Sequence, residues 1–411
     1  MTMPFPMPLP DPLALPDPMT LPSRRGCPFD PPEEYARLRA ERPMSRLRLP
    51  GGRVGWLVTR YEDVRAALAD PRTSPPLIQV TPAADLPLPE EELAVPPGVF
   101  SALDPPRQSR YRRLVSRYFT RKRCREITPE LERIIDEQLT AMIGQGPPAD
   151  LVTGFAQPVP TRVITGMLGI PEEQRPDYQR RILTMLSLGA TPEELREASE
   201  GLYGGLGELV RDRRARPGDD ILSDLLHGDT PLTDEEVVGI GALLLIAGLE
   251  TTANMLGLGA FALLSDPAQA AALRAGGEEL LDTAVEELLR YLTIVQFGLT
   301  RTAREDLEIA GRTVRAGETI VLSLAAANRD PHRYTEPDRL DLRREEAPHL
   351  AFGHGVHQCL GAQLARIEMK LAFRALLRRL PELRLAVPPE EVPTAGEDKV
   401  FYGVHALPVT W

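Results

Sequence analysis

Past residue 30, apolar positions recur mainly at three- and four-residue spacing. This predicts helices over 61–69, 107–119, 129–143, 171–188, 192–214, 234–264, 277–291 and 359–379. Alternating and β-branched runs are short and scattered, predicting strands at 54–59, 307–309, 319–324 and 407–411. Many helices beside few strands imply a mainly α fold with small β-sheets. One segment stands apart. Thr233-Asp234-Glu235-Glu236 has the pattern of a capping box, and the apolar pattern then runs to Leu264, where Ser265-Asp266-Pro267 stops it. That is about 30 residues, or roughly 45 Å of helix, enough to cross a domain. Its first half is apolar nearly all round (Val237, Val238, Ile240, Leu243, Leu244, Leu245, Ile246), which predicts burial.

Composition adds limits. A hydrophobic share of 42% and a charged share of 26% are ordinary for a globular chain. At 411 residues two domains would be possible, yet no Gly/Ser- or Pro-rich linker divides the middle. The expectation is a proline-rich extended arm over residues 1–25 and a single domain over 26–411. Residues 1–22 hold no Lys or Arg and many prolines, which suits neither a signal peptide nor a membrane helix. The longest apolar run, near residues 237–247, is shorter than the about 20 residues a span needs, so no membrane association is expected. A net charge of −11 argues against nucleic acid as a partner. Three cysteines, Cys27, Cys124 and Cys359, make no disulfide framework and point to the cytoplasm. Cys124 lies in Arg121-Lys122-Arg123-Cys124-Arg125 and is expected to be exposed.

Cys359 is different. In Phe352-Gly353-His354-Gly355-Val356-His357-Gln358-Cys359-Leu360-Gly361, two glycines precede the cysteine and a helical pattern follows it. Glycine permits tight turns and close approach of the backbone to a flat ligand. A thiol at a helix N-terminus meets unpaired N–H groups and the positive end of the dipole, both of which favour thiolate. Three other readings fit the loop alone: a buried structural cysteine, a nucleophile, or a zinc site built from His349, His354, His357 and Cys359.

Midway along the long apolar segment comes Ala247-Gly248-Leu249-Glu250-Thr251-Thr252. A carboxylate in a buried helix is costly, and Gly with two threonines is locally unfavourable there. One reading is a kink with Glu250 reaching solvent or an arginine. The other is a carboxylate beside a hydroxyl as a proton relay.

The cysteine loop resembles the haem-binding loop of the cytochrome P450 superfamily, and the resemblance extends in order from about Gly26 onward, most closely to soluble bacterial, actinobacterial-type members. It implies that Cys359 ligates the iron of haem b, with Ala247, Phe352 and Gly361 against the cofactor. It implies that Gln108, Arg112, Arg301 and His357 hold the haem propionates, Gln108 standing where the family often has histidine. It implies that Glu250 and Thr251 carry protons toward dioxygen. It also implies a structural network of Glu287, Arg290 and Arg339. Glu-x-x-Arg also occurs by chance spacing elsewhere, as at Glu34/Arg37, Glu62/Arg65, Glu130/Arg133, Glu193/Arg196 and Glu336/Arg339, and position alone singles this one out. The substrate would meet Leu243, Leu244, Ala247, Ile294, Val295, Gln296, Phe297, Phe401 and Tyr402, the loop 77–100 and the turn 186–191. The implied activity is oxidation of a small, largely apolar organic molecule by dioxygen in secondary-metabolite biosynthesis. Electrons would come from NAD(P)H through a ferredoxin reductase and a ferredoxin, the latter docking on the basic stretch from Arg110 to Arg125, and the enzyme would be a monomer. A peroxide-driven haem enzyme of the same fold is a further alternative.

Overall fold

The computed structural model describes residues 17–49, 52–76, 95–345, 348–396 and 398–411. The long apolar segment is one continuous helix, Asp234–Ser265, of 32 residues. The capping box is formed as expected: Thr233 Oγ1 accepts from Glu236 N at 3.2 Å, and Glu236 Oε2 accepts from Thr233 N at 2.9 Å. At its other end Asp266 caps the following helix, Pro267–Ala275, by accepting from Gln269 N. Helical hydrogen bonding runs through Gly248–Thr252 without a break. As a whole this helix is long and apolar enough to cross a membrane, which the uninterrupted run understated. Here it is the core helix, with residues such as Leu245, Leu249, Leu258 and Phe261 fully buried.

Around it pack Pro158–Met167, Pro192–Ala215, Glu278–Leu292 and Ala362–Arg379. Two approaches to the long helix are close enough to demand glycine. A Cβ on Gly239 would come within 1.8 Å of Pro97 O. Gly98, at φ +84°, faces Glu236 O in the same way. The segment 97–98 therefore lies directly on the helix backbone.

A five-stranded sheet flanks the helices, in the order Met44–Arg48, Val54–Val58, Thr319–Leu322, Leu299–Ala303, Thr73–Ser74. Only the pairing of Val54–Val58 with Thr319–Leu322 is parallel, with Trp56 opposite Ile320. The strand Leu299–Ala303, which the sequence pattern did not mark, sets Arg301 opposite Ile320. The chain's end, Pro408–Thr410, pairs with Ala149–Asp150 and Arg384–Leu385. Residues 1–16 of the expected arm lie outside the described residues. Residues 17–25 are extended but not free: Met19 N donates to Arg46 O at 3.0 Å, and Arg48 N donates to Met19 O at 2.7 Å.

Several helix limits differ from the pattern. The segment 171–188 resolves into a short turn, Glu172–Gln174, and the helix Arg175–Met185. The helix after the cysteine begins at Ala362, not at Cys359. Cys124 is fully buried, not exposed, because the arginines around it point outward while its own side faces the core. Burial pushes its thiol up to about 11.

The ion pair Glu287–Arg290 is present and buried, with side chains 1% and 2% exposed. Arg290 Nε and Nη2 donate to Glu287 Oε2 and Oε1 at 2.7 and 2.8 Å, and Nη1 donates to the carbonyls of Asn328 and Pro337. The expected third member, Arg339, is wrong. Its side chain is exposed and pairs with Glu336, and only its carbonyl joins the network. Arg344 takes the place, its Nε 3.2 Å from Glu287 Oε1 and its side chain 7% exposed. Both arginines lie in one irregular segment, so which of them turns inward is decided by the backbone path and not by spacing. Removing the buried carboxylate leaves two guanidiniums without their partner, whereas Arg339 belongs to a solvated pair. Glu287→Ala should cost about 3–5 kcal/mol, and Arg339→Ala under about 1 kcal/mol, by denaturant unfolding. Equal costs would refute this assignment.

Candidate active site

Phe352–Gly361 wraps the cysteine. Cys359 N donates to Phe352 O at 2.9 Å, and Gln358 N to Gly355 O at 3.0 Å. Gly353 and Gly355 have φ of +68° and +77°, and a Cβ on Gly355 would lie 2.8 Å from Leu68 O. Neighbours brace the loop from outside. Gln108 Nε2 donates to Val356 O at 2.8 Å and Arg112 Nη2 to Gln358 O at 2.7 Å. Arg366 lies over the Phe352 ring at 4.6 Å and forms a two-pronged pair with Glu286.

Cys359 has accessible surface but sits deep within the fold, the signature of a residue facing an internal cleft. Burial is the largest influence on its thiol and pushes it up. The N–H groups of Gly361 and Ala362 and the charges of Arg112 and Arg366 pull it down. The dipole argument is thus right in sign, but burial outweighs it in the protein alone. On the long helix, Ala247 is exposed while its helical neighbours Leu244, Leu245, Leu249 and Glu250 are buried. It too faces an internal space.

Two basic side chains, Arg301 and His357, meet at the loop. Arg301 is 4% exposed, and no carboxylate lies within ion-pair distance of it among the described residues. Its one hydrogen bond goes from Nη1 to Thr300 O at 2.9 Å. Burial pushes its guanidinium down to about 10. His357 is pushed down to about 4 by burial and by Arg301, and its Nε2 is buried with no partner among the described residues. A guanidinium so desolvated calls for an anion, and a buried neutral imidazole nitrogen calls for a hydrogen-bond partner. A thiol with N–H support, a desolvated arginine and an orphaned imidazole nitrogen fit a haem with two propionates. Gln108 is fully buried; one Nε2 proton braces Val356 O and its Oε1 accepts from Ser109, so it acts on the loop and keeps only its second amide proton for a further acceptor.

The zinc alternative does not assemble. No group of three or more His, Cys, Asp or Glu able to hold a metal ion occurs among the described residues. His349 Nδ1 accepts from Ala351 N at 3.1 Å, which leaves the ring proton on Nε2, 3.3 Å from Glu286.

On the long helix, Thr251 Oγ1 donates to Ala247 O at 2.7 Å, and Glu250 is 5% exposed. Glu250 does not reach solvent as a kinked helix would allow. Its Oε1 lies 3.9 Å from Lys399 Nζ, and its Oε2 has no hydrogen-bond partner among the described residues. Burial pushes the carboxyl up to about 7, while Lys399 and Asn254 pull it down. Lys399 went unmarked in the sequence because a lone lysine 149 positions downstream carries no pattern.

The expected substrate side divides. Leu243, Val295 and Phe401 are partly accessible and Ala247 exposed, whereas Leu244, Ile294, Gln296, Phe297 and Tyr402 are buried. Two polar members are already engaged. Gln296 Nε2 donates to the carbonyls of Gly396 and Lys399 at 2.9 and 2.6 Å. Tyr402 lies 3.7 Å beneath the Arg25 guanidinium, turned toward the N-terminal segment. Residues 77–94 of the expected substrate loop lie outside the described residues.

The family model for cytochrome P450 matches residues 208–401. Cytochrome P450 105C1 from a Streptomyces species is 48% identical over 383 residues, covering 93% of this chain and 96% of that protein. The cytochrome P450 monooxygenase PikC of Streptomyces venezuelae is 42% identical over 388 residues, covering 93% and 91%. The crystal structure of CYP105P1 in complex with filipin I superposes with a TM-score of 0.89 at 42% identity, covering 96% of this chain and 99% of that one. Cysteine loop, buried ion pair and long acid-bearing helix therefore stand in a shared framework, and the chain belongs to the cytochrome P450 family of haem monooxygenases.

Proposed function

We propose that this P450 oxidises a small, largely apolar organic substrate during the tailoring of a secondary metabolite, by hydroxylation, epoxidation or oxidative coupling. The observation that carries the reading is the presence in one fold of two features: Cys359 in its braced loop with accessible surface, and Glu250–Thr251 on a buried helix. Cys359 would ligate the haem iron, with Phe352 and Gly361 shaping the loop and Ala247 facing the cofactor. Arg112, Arg301 and His357 would hold the propionates. When bound, the haem supplies dioxygen activation driven by two external electrons. The chain's own part is to move protons and exclude water. Glu250, poised near neutrality, would take protons up, and the Thr251 hydroxyl would hand them on. The apolar, partly accessible Leu243, Ala247, Val295 and Phe401 support an apolar substrate.

Electrons would come from NAD(P)H through a ferredoxin reductase and a ferredoxin, in the cytoplasm and to a monomeric enzyme. Arg113, Arg121 and Arg125 are exposed and form none of the ion pairs found among the described residues. Arg121 also lines a groove with Gln363, Arg366 and Lys370, where Glu286 and Asp282 offset Arg366 and Lys370, so the positive charge on offer is that of Arg113, Arg121 and Arg125. A negatively charged ferredoxin would meet positive charge there. Arg117, part of the same stretch, is held by Asp224 and Tyr118 and is less free to contribute.

Three measurements test the proposal. The purified protein should be red and, reduced under carbon monoxide, show the red-shifted Soret band of thiolate ligation; Cys359→Ser should lose that band. A colourless, zinc-loaded protein would refute the reading. Thr251→Ala should raise the hydrogen peroxide released per NADPH several-fold, because protons then arrive out of place; an unchanged ratio removes the relay. Arg113→Glu with Arg121→Glu should slow ferredoxin-supported reduction at low salt about tenfold and leave the carbon monoxide spectrum intact. Reduction at the parent rate would move the docking site elsewhere.

A further inference from the structure

The carboxyl of Glu250 is turned toward the C-terminal tail, not toward the helices that cover the long helix elsewhere. Lys399 Nζ is the one cation within ion-pair distance of it among the described residues, at 3.9 Å, and the Lys399 side chain is 19% exposed. Tail and helix are in close contact at this level. A Cβ on Gly403 would fall 2.2 Å from Asn254 Oδ1, one turn beyond Glu250. The charged groups acting on Glu250 are Lys399 and Asp398, both on the tail; its own helix adds the uncharged Asn254. Asp398 is drawn outward, 3.0 Å from His405 Nε2.

The backbone at Lys399 is fixed from two sides. Ser187 and Lys399 form an antiparallel bridge, with Leu188 N donating to Asp398 O at 2.8 Å and Val400 N to Leu186 O at 3.1 Å. These bonds tie the tail to the turn that follows helix Arg175–Met185. From the other side, Gln296 grips the carbonyls of Gly396 and Lys399. One lysine thus joins the acid of the long helix, the turn 186–189 and the segment that carries Val295.

We infer that Lys399 is a positioning residue: it holds Glu250 as a carboxylate near neutral pH, and does so only while the turn 186–189 is docked on the tail. The inference rests on the relay reading of Glu250. An opposite charge at this distance favours the ionised acid, and its removal leaves burial unopposed. Proton uptake at Glu250 then depends on a contact made by the turn beside the outer groove lined by Ser187, Gly189, Glu194 and Asp398. Asp398 opposes Lys399 in sign but is the more solvated of the two, so the lysine dominates.

The test uses the haem-loaded enzyme. The titration midpoint of Glu250 is read by infrared difference spectroscopy, with Glu250→Gln identifying the band. Lys399→Met should raise the midpoint by about one pH unit or more, and Lys399→Arg should return it toward the parent value; an unchanged carbon monoxide spectrum shows that each variant is folded. An unmoved midpoint in Lys399→Met, or no recovery in Lys399→Arg, overturns the inference. The relay is tested separately, by ferredoxin-supported NADPH consumption in Glu250→Gln, expected to fall at least about tenfold. If that rate is unchanged, the relay reading fails whatever Lys399 does. If it falls while the midpoint ignores Lys399, only the role of Lys399 fails.

Discussion

Two opposite charges removed from water must satisfy each other and every remaining donor around them. That constraint, met at Glu287 and Arg290, organises the half of the molecule that carries the cysteine. Arg290 binds the carbonyls of Asn328 and Pro337; Glu287 accepts from Asp341 N and Arg344. Asn328 in turn accepts from Leu350 N and donates to Thr293. An irregular stretch with little secondary structure is thereby held at many points before it enters the loop at Phe352. The pair is structural, and its reach explains how a loop can be rigid without belonging to a helix or sheet.

The cysteine loop and the long helix face opposite electrostatic problems. Beside Cys359 the buried charge is that of Arg301, with the neutral His357 imidazole also short of a partner, which suits the proposed anionic group. On the long helix the buried charge is an acid with one distant cation, pushed toward neutrality. An acid in that state can both accept and release a proton near pH 7, which a fully paired carboxylate could not. Incomplete pairing at Glu250 would suit the proposed relay, and the fully paired Glu287 is its structural opposite.

Burial also explains why some polar residues on the expected substrate side serve the scaffold. Gln296 and Tyr402 are engaged by the tail and by Arg25, so the accessible surface there is left to Leu243, Ala247, Val295 and Phe401.

Local signals were sufficient wherever the physics is local. The capping box at Thr233, the stop at Pro267, the 3.6-residue apolar period of the long helix and the glycines that let the cysteine loop turn all follow from neighbouring residues, and all are present. The motif around Cys359 and the acid beside Thr251 were legible because each breaks a local rule at a cost. What needed the tertiary structure was every partnership between distant segments. Arg344 replaces Arg339 because backbone path, not spacing, decides which side chain turns inward. Cys124 is buried although its neighbours are charged, since one side of a short helix suffices to hide it. The contact of Glu250 with Lys399 arises only when the tail folds back across the long helix, and hydrophobic periodicity carries no information about which distant charge will meet a buried acid.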